Sequence, residues 1–185
     1  MVTPNSLTFL RLLIALICPP LLIWARSFTS DVAVAVLFTG ACITDWWDGY
    51  LARKKSLITP IGKIIDPIAD KLLILGLMIT FMYLRLYRIE WILPIIFREA
   101  AVTATRFIQL KRKNVIPAEW AGKIKLGFQI GSIYASLIYL SVHDGELFSG
   151  TPWALTFFQW FHYLGIILAN FFTISSGIRF FQRLE

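Results

Sequence analysis

The chain has 185 residues, 57% of them hydrophobic, with seven Trp, fifteen Phe and a formal net charge of +7. At a mean hydropathy of +0.69 it is too apolar for an ordinary water-soluble domain, and its composition is that of a membrane protein. A nucleic-acid-binding role would need a soluble basic face, and none is visible.

A helix of about 20 residues crosses roughly 30 Å of hydrocarbon. On that measure the sequence predicts six transmembrane helices: Leu7 to Ala25, Asp31 to Leu51, Gly62 to Leu84, Trp91 to Leu110, Gly122 to Val142, and Pro152 to Phe172 or beyond. The uncharged runs Leu126 to Val142 and Leu147 to Ile178 are the clearest of them. The predicted fold is therefore all-α, one membrane domain over residues 1–185, with the helices around a polar cavity that faces the cytoplasm. These spans place Arg53, Lys54 and Lys55, then Lys111, Arg112, Lys113, Lys123 and Lys125, then Arg179 and Arg183, all on one side. The other side holds Arg26, Arg85 and Arg88 beside Asp31, Glu90, Asp144 and Glu146. By the positive-inside rule both termini face the cytoplasm, and the excess positive charge lies against anionic headgroups. The first helix lacks a basic segment before it and a small-residue cleavage pattern after it, so it reads as retained. Cys18 and Cys42 have no CxxC partner and read as small buried hydrophobes.

Within this frame the polar residues stand out in chain order. Asn5, Thr8 and Arg11 recur every three residues and share one face of the first helix; on its own, that face reads as a capped helix start with a snorkelling arginine. The second helix is apolar from Val32 to Ile43 and polar from Thr44 to Arg53, as expected of a helix that extends into a cytoplasmic cavity. Trp46 and Trp47 suit the interfacial belt. Thr59-Pro60 can start the third helix, and Pro67 falls inside it, where it removes a backbone donor. Helix four places Glu99, Thr103 and Arg106 on one face, with Arg98 beside them; these are either an ion-pair network or an anion site. Lys123 and Lys125 open helix five, as topology signals or as phosphate ligands. His162 in its aromatic run reads as a packing residue.

Asp45, Asp48, Asp66 and Asp70 are four of only eleven acidic residues, and they fall within 26 positions. Spacings of three and four put each pair on one face of its helix, and a turn between the helices would bring the pairs together. Each aspartate in hydrocarbon would cost on the order of 2.5 to 3.5 kcal/mol, roughly 10 for the four, so intramembrane carboxylates in this number point to function. Crowded carboxylates repel and protonate unless a cation holds them, and an all-oxygen donor set favours Mg²⁺ or Mn²⁺ over Zn²⁺. The chemistry this suggests is a metal-assisted reaction at a phosphate.

Read as a pattern, the stretch is Asp45, two residues, Asp48-Gly49, two residues, Ala52-Arg53, eight residues, Gly62, three residues, Asp66, three residues, Asp70. It resembles the signature of the CDP-alcohol phosphatidyltransferase family at every fixed position and spacer. The opening PNSLTFLR, the ITDWWDGYLARK wording, Arg98-Glu99, Arg106 and the AEWAGKIK segment are similar to the phosphatidylglycerophosphate synthase branch, and the resemblance covers residues 4 to about 130.

This resemblance implies an enzyme that joins CDP-diacylglycerol to sn-glycerol 3-phosphate, giving phosphatidylglycerol phosphate and CMP. It also implies six transmembrane helices in the cell's inner (cytoplasmic) membrane, and a homodimer. Asp45, Asp48, Asp66 and Asp70 would bind two divalent ions, with Asp70 also taking the proton of the acceptor hydroxyl. Gly49, Arg53 and Thr59 would line the CDP site beside Asn5, Thr8 and Arg11. Because the acceptor is itself a phosphate monoester, a basic pocket is expected, with Arg98, Arg106, Lys123 and Lys125 as candidates. The motif alone leaves other acceptors open: serine, inositol phosphate or phosphatidylglycerol. A different class, a divalent-cation carrier or sensor, would have no evident need for Gly49 and Arg53 beside its aspartates.

Overall fold

The structure, a computed structural model, describes the backbone of residues 4–55, 62–111, 120–146 and 151–183, and side chains within those ranges except at 4–7, 46–55, 62–70, 110–111 and 152. Six helices follow in order: α1 (Pro4–Trp24), α2 (Phe28–Lys55), α3 (Gly62–Tyr83), α4 (Ile89–Lys111), α5 (Trp120–Asp144) and α6 (Pro152–Gln182). Among the described residues there is no strand. Helices are present at all six predicted positions, and α1, α2, α4 and α5 start two or three residues before the predicted limits. At α2 the cap is reciprocal: the Ser27 N–H donates to Ser30 Oγ at 3.0 Å and the Ser30 N–H donates to Ser27 Oγ at 3.3 Å, so two end donors are satisfied locally.

α1 packs on both α2 and α3, α5 packs most extensively on α6 and also on α2 and α3, and α4 rests on α6 and α3. Cys18 and Leu22 of α1, Phe38 of α2, Leu77 and Phe81 of α3, and Ile133 and Leu137 of α5 form the buried core. Small residues allow the closest approaches. A Cβ at Gly76 would lie 3.9 Å from the Ala15 carbonyl oxygen on α1, and one at Gly165 only 3.2 Å from the Ser132 Cα on α5. In a lipid solvent, where apolar side chains have no preference for the interior, such close van der Waals packing holds helices together. Pro19 and Pro20 lie inside α1, a position that membrane helices tolerate better than soluble ones.

α3 ends in a Schellman turn: Leu86 N–H donates to Phe81 C=O at 2.9 Å and Arg85 N–H to Met82 C=O at 3.0 Å. Arg85 takes the left-handed conformation, φ 61°, that glycine usually fills. The turn delivers Tyr87 into the bundle, where its hydroxyl reaches Ser136 Oγ at 2.6 Å and the Ser132 carbonyl at 3.0 Å. Burial pushes the Tyr87 phenol up to about 12, against the pull of the two serines. His162 lies between the rings of Tyr87 and Tyr139, stacked on both. It is a packing residue, as its sequence context indicated. Near the same end, Arg26 grips Asp144 with two hydrogen bonds of 2.7 and 3.1 Å, tying the chain just after α1 to the end of α5. Cys18 is fully buried and Cys42 partly so, and both are free thiols.

Among the described residues, two helices are long and apolar enough by themselves to cross a membrane: α2 over Phe28–Asp45 and α6 over Trp153–Gln182. The outside of the bundle is strongly apolar. Trp24, Phe97, Trp153 and Trp160 are 69% to 83% exposed, an arrangement suited to lipid and unsuited to water.

Candidate active site

The four aspartates lie on two helices that share a neighbour. Asp45 and Asp48 are on α2 and Asp66 and Asp70 on α3, and α1 packs against both helices. From α1, Arg11 Nη1 donates to Asp45 Oδ1 at 2.7 Å. The arginine side chain is 2% exposed and the aspartate 47%, so a buried cation holds a carboxylate that still presents surface to a ligand. Arg11 therefore does not snorkel to the interface, as its isolated sequence context suggested. It turns inward because a carboxylate one helix away offers a charge-assisted partner that the interface does not. Thr8, one turn earlier, is also buried. The expectations for the side chains of Asn5, Asp48, Arg53, Asp66 and Asp70, and for Gly49, fall on positions whose side chains lie outside the described set, and Thr59 lies outside the described residues altogether.

The predicted basic residues divide into two groups. Around Glu99 of α4, Arg98 Nη1 stands 3.3 Å from Oε1, Lys125 Nζ from α5 donates to the same oxygen, and Lys71 Nζ from α3 is 3.9 Å from Oε2. Glu99 and Lys125 are both buried. Glu99 thus pairs with Lys125 rather than with Arg106, its neighbour by helical periodicity. Arg106 is exposed, its guanidinium 5.8 Å from the Phe180 ring centroid, and Lys123 is exposed as well. Thr103 Oγ1 donates back to the Glu99 carbonyl, which leaves that face of α4 organised around Glu99. Sequence reasoning missed Lys71, although its place directly after Asp70 was a usable signal. Among the described residues, three cations converge on the Glu99 carboxylate.

Comparison with known proteins identifies the family of the chain. The family model for CDP-alcohol phosphatidyltransferase matches residues 1–171. The chain belongs to the CDP-alcohol phosphatidyltransferase family. It is 34% identical over 191 residues to the CDP-diacylglycerol--glycerol-3-phosphate 3-phosphatidyltransferase of Bacillus subtilis, covering 97% of this chain and 93% of the relative. Proteins of the same name from Rickettsia typhi and Rickettsia felis are 34% and 35% identical, over 97% of this chain and 94% and 93% of theirs.

For a CDP-alcohol phosphatidyltransferase, the donor set fits a divalent ion by its chemistry: four carboxylates at spacings of three and four on two helices packed on a common third, with no nitrogen or sulfur among them. Asp45 is accessible, and Arg11 holds it from the buried side.

Proposed function

We infer that this chain transfers the phosphatidyl group of CDP-diacylglycerol to sn-glycerol 3-phosphate, giving phosphatidylglycerol phosphate and CMP. The observation that carries the reading is the match of the CDP-alcohol phosphatidyltransferase family model over residues 1–171 together with the near full-length similarity to the Bacillus subtilis protein, which supports the choice of acceptor.

In this reading the acceptor hydroxyl gives its proton to Asp70 as its oxygen attacks the lipid-bearing phosphorus. The bond from that phosphorus to the bridging oxygen breaks, and CMP leaves with the electron pair. Asp45, Asp48, Asp66 and Asp70 would hold two divalent ions, Mg²⁺ or Mn²⁺, which offset the diphosphate charge and stabilise the leaving group. As general base, Asp70 would have to come within hydrogen-bond reach of that hydroxyl. Arg53 grips a phosphate through its planar fork, with Gly49, Thr59, Asn5 and Thr8 alongside. Arg11 orients Asp45. Arg98 and Lys125, with Arg106 and Lys123 toward the exterior, receive the acceptor's phosphate.

The same reading makes the protein a single multi-pass domain of the cytoplasmic membrane with six spans, a cytoplasm-facing site and both termini inside, working as a homodimer. The apolar exterior supports the bilayer setting, and the charge asymmetry of the loops supports the orientation. The lipid tails then stay in the membrane while the headgroup reacts.

The test is CMP release by purified protein in detergent with CDP-diacylglycerol and Mg²⁺ or Mn²⁺, offering glycerol 3-phosphate, serine, inositol phosphate and phosphatidylglycerol separately. Metal-dependent release with glycerol 3-phosphate alone is expected. Release with another acceptor overturns the substrate, and no release from folded, metal-binding protein overturns the reaction.

A further inference from the structure

At the end of the bundle away from the aspartate quartet, one carboxyl has no use in the reaction and no hydrogen-bond partner among the described residues. Asp31 stands in the first turn of α2, where its N–H donates to the Ser27 carbonyl at 3.1 Å. The residue is fully buried, and neither side-chain oxygen meets a donor. α2 packs on α1 and on α5, and charged groups from both sides act on Asp31: Arg26 from the segment after α1, and His143 and Asp144 from the end of α5. Tyr139, one turn earlier on α5, acts on the same Arg26 and Asp144. The partners in this group are shared unevenly. Asp144 accepts two hydrogen bonds from Arg26, of 2.7 and 3.1 Å, and lies 2.7 Å from His143 Nδ1. One guanidinium thus serves one of two carboxyls, and the one it leaves out is the more deeply buried. A carboxylate out of water, unpaired and near a second negative charge is costly, whereas a carboxyl that holds its proton is neutral.

We propose that Asp31 is the proton-operated half of a latch: with its proton it leaves Arg26 to Asp144, and without it Asp31 takes Arg26 and unties the end of α1 from the end of α5. The exchange strands no charge. Arg26 already feels the Asp31 carboxyl as well as that of Asp144, and Asp144 keeps His143 when the arginine turns away. The proton passes to solvent, the Arg26 N–H groups move from the Asp144 oxygens to those of Asp31, and no other bond changes. Arg26 and His143 are both exposed, so the group communicates with water although Asp31 itself does not touch it. The tie that is lost joins α1 to α5, and the tie that forms joins α1 to α2, the next helix in the chain. On the orientation proposed above, the latch answers to the pH outside the cytoplasm; the exchange itself rests only on the grouping of these four side chains.

The experiment uses the full-length protein in detergent and reads two signals. The first is the infrared band of a protonated carboxyl, compared between the unaltered protein and Asp31→Asn at neutral pH and during alkaline titration. A band that is missing from Asp31→Asn, and that bleaches in the unaltered protein as the pH rises, is expected. The second is the coupling between side chains in double-mutant cycles of melting temperature, with Arg26→Gln set against Asp144→Asn and against Asp31→Asn. At neutral pH Arg26 should couple to Asp144 and not to Asp31, and at the alkaline end the coupling should pass to Asp31. If Asp31→Asn does not fold, Asp31→Leu, which puts an apolar side chain in the buried place, replaces it in both measurements. A carboxyl spectrum unchanged by the loss of Asp31 would overturn the latch. So would coupling of Arg26 to Asp31 already at neutral pH, or coupling to Asp144 that persists after the alkaline titration.

Discussion

The stem of Arg98 lies on the bare backbone of Gly177, so closely that a Cβ added there would stand 2.9 Å from the Arg98 Cγ. The contact seats one cation of the Glu99 cluster against α6. Gly177→Ala should displace Arg98 and raise KM for glycerol 3-phosphate several-fold, at a stability cost of about 1 to 3 kcal/mol from overpacking. Adding Arg98→Ala should relieve the clash. A double-mutant cycle of melting temperatures checks this: simple additivity would mean that the two residues do not compete for the same space.

Arg11 and Asp45 make a different kind of pair, one partner buried and the other half exposed. Water competes for the aspartate, so the pair should contribute little to stability, while the orientation of the carboxylate matters to turnover. Arg11→Gln is expected to lower kcat/KM for CDP-diacylglycerol about tenfold or more, since each charge-assisted hydrogen bond lost is worth about 1.5 to 3 kcal/mol. Arg11→Lys, which keeps the charge without the planar fork, should fall between. Steady-state kinetics beside thermal melts separate the two effects. A large fall in melting temperature with unchanged turnover would assign Arg11 to the scaffold.

Asp70→Asn should abolish CMP release while the protein remains folded and still gains thermal stability from CDP-diacylglycerol. Substantial turnover in that variant would remove Asp70 from the role of base. Chelation by EDTA should likewise stop the unaltered protein, with recovery on adding Mg²⁺ or Mn²⁺.

At the opposite end, the pair Arg26 and Asp144 predicts a pH dependence. Burial works to raise the Asp144 pKa, but the hydrogen bonds and charges of Arg26 and His143 together outweigh it and hold the carboxyl below its ordinary value. A depressed carboxyl contributes stability that is fully present above the unfolded value, about 3.9, and is lost as pH falls through the lower folded value. The melting-temperature difference between the unaltered protein and Asp144→Asn should therefore shrink as pH falls below about 4. Because Arg26 is partly solvated, the difference should correspond to no more than about 1 kcal/mol. A difference that grew as pH fell below about 4 would contradict the assignment.

What the sequence determined by itself is local or compositional. Six helices follow from the apolar runs along the chain. The aspartate quartet stands out because carboxylates are costly in an apolar chain, and its spacing carries the family resemblance. Tertiary structure alone decided the partners: that Arg11 meets Asp45 across 34 residues, that Lys125 goes to Glu99, that Lys71 joins them, and that Gly177 makes room for Arg98. The reason lies in the solvent. In water, an apolar stripe reveals which face of a helix packs inward. In a bilayer the outside is as apolar as the inside, so the pattern specifies each helix but leaves its neighbours to close packing and to the few polar groups that must find one another.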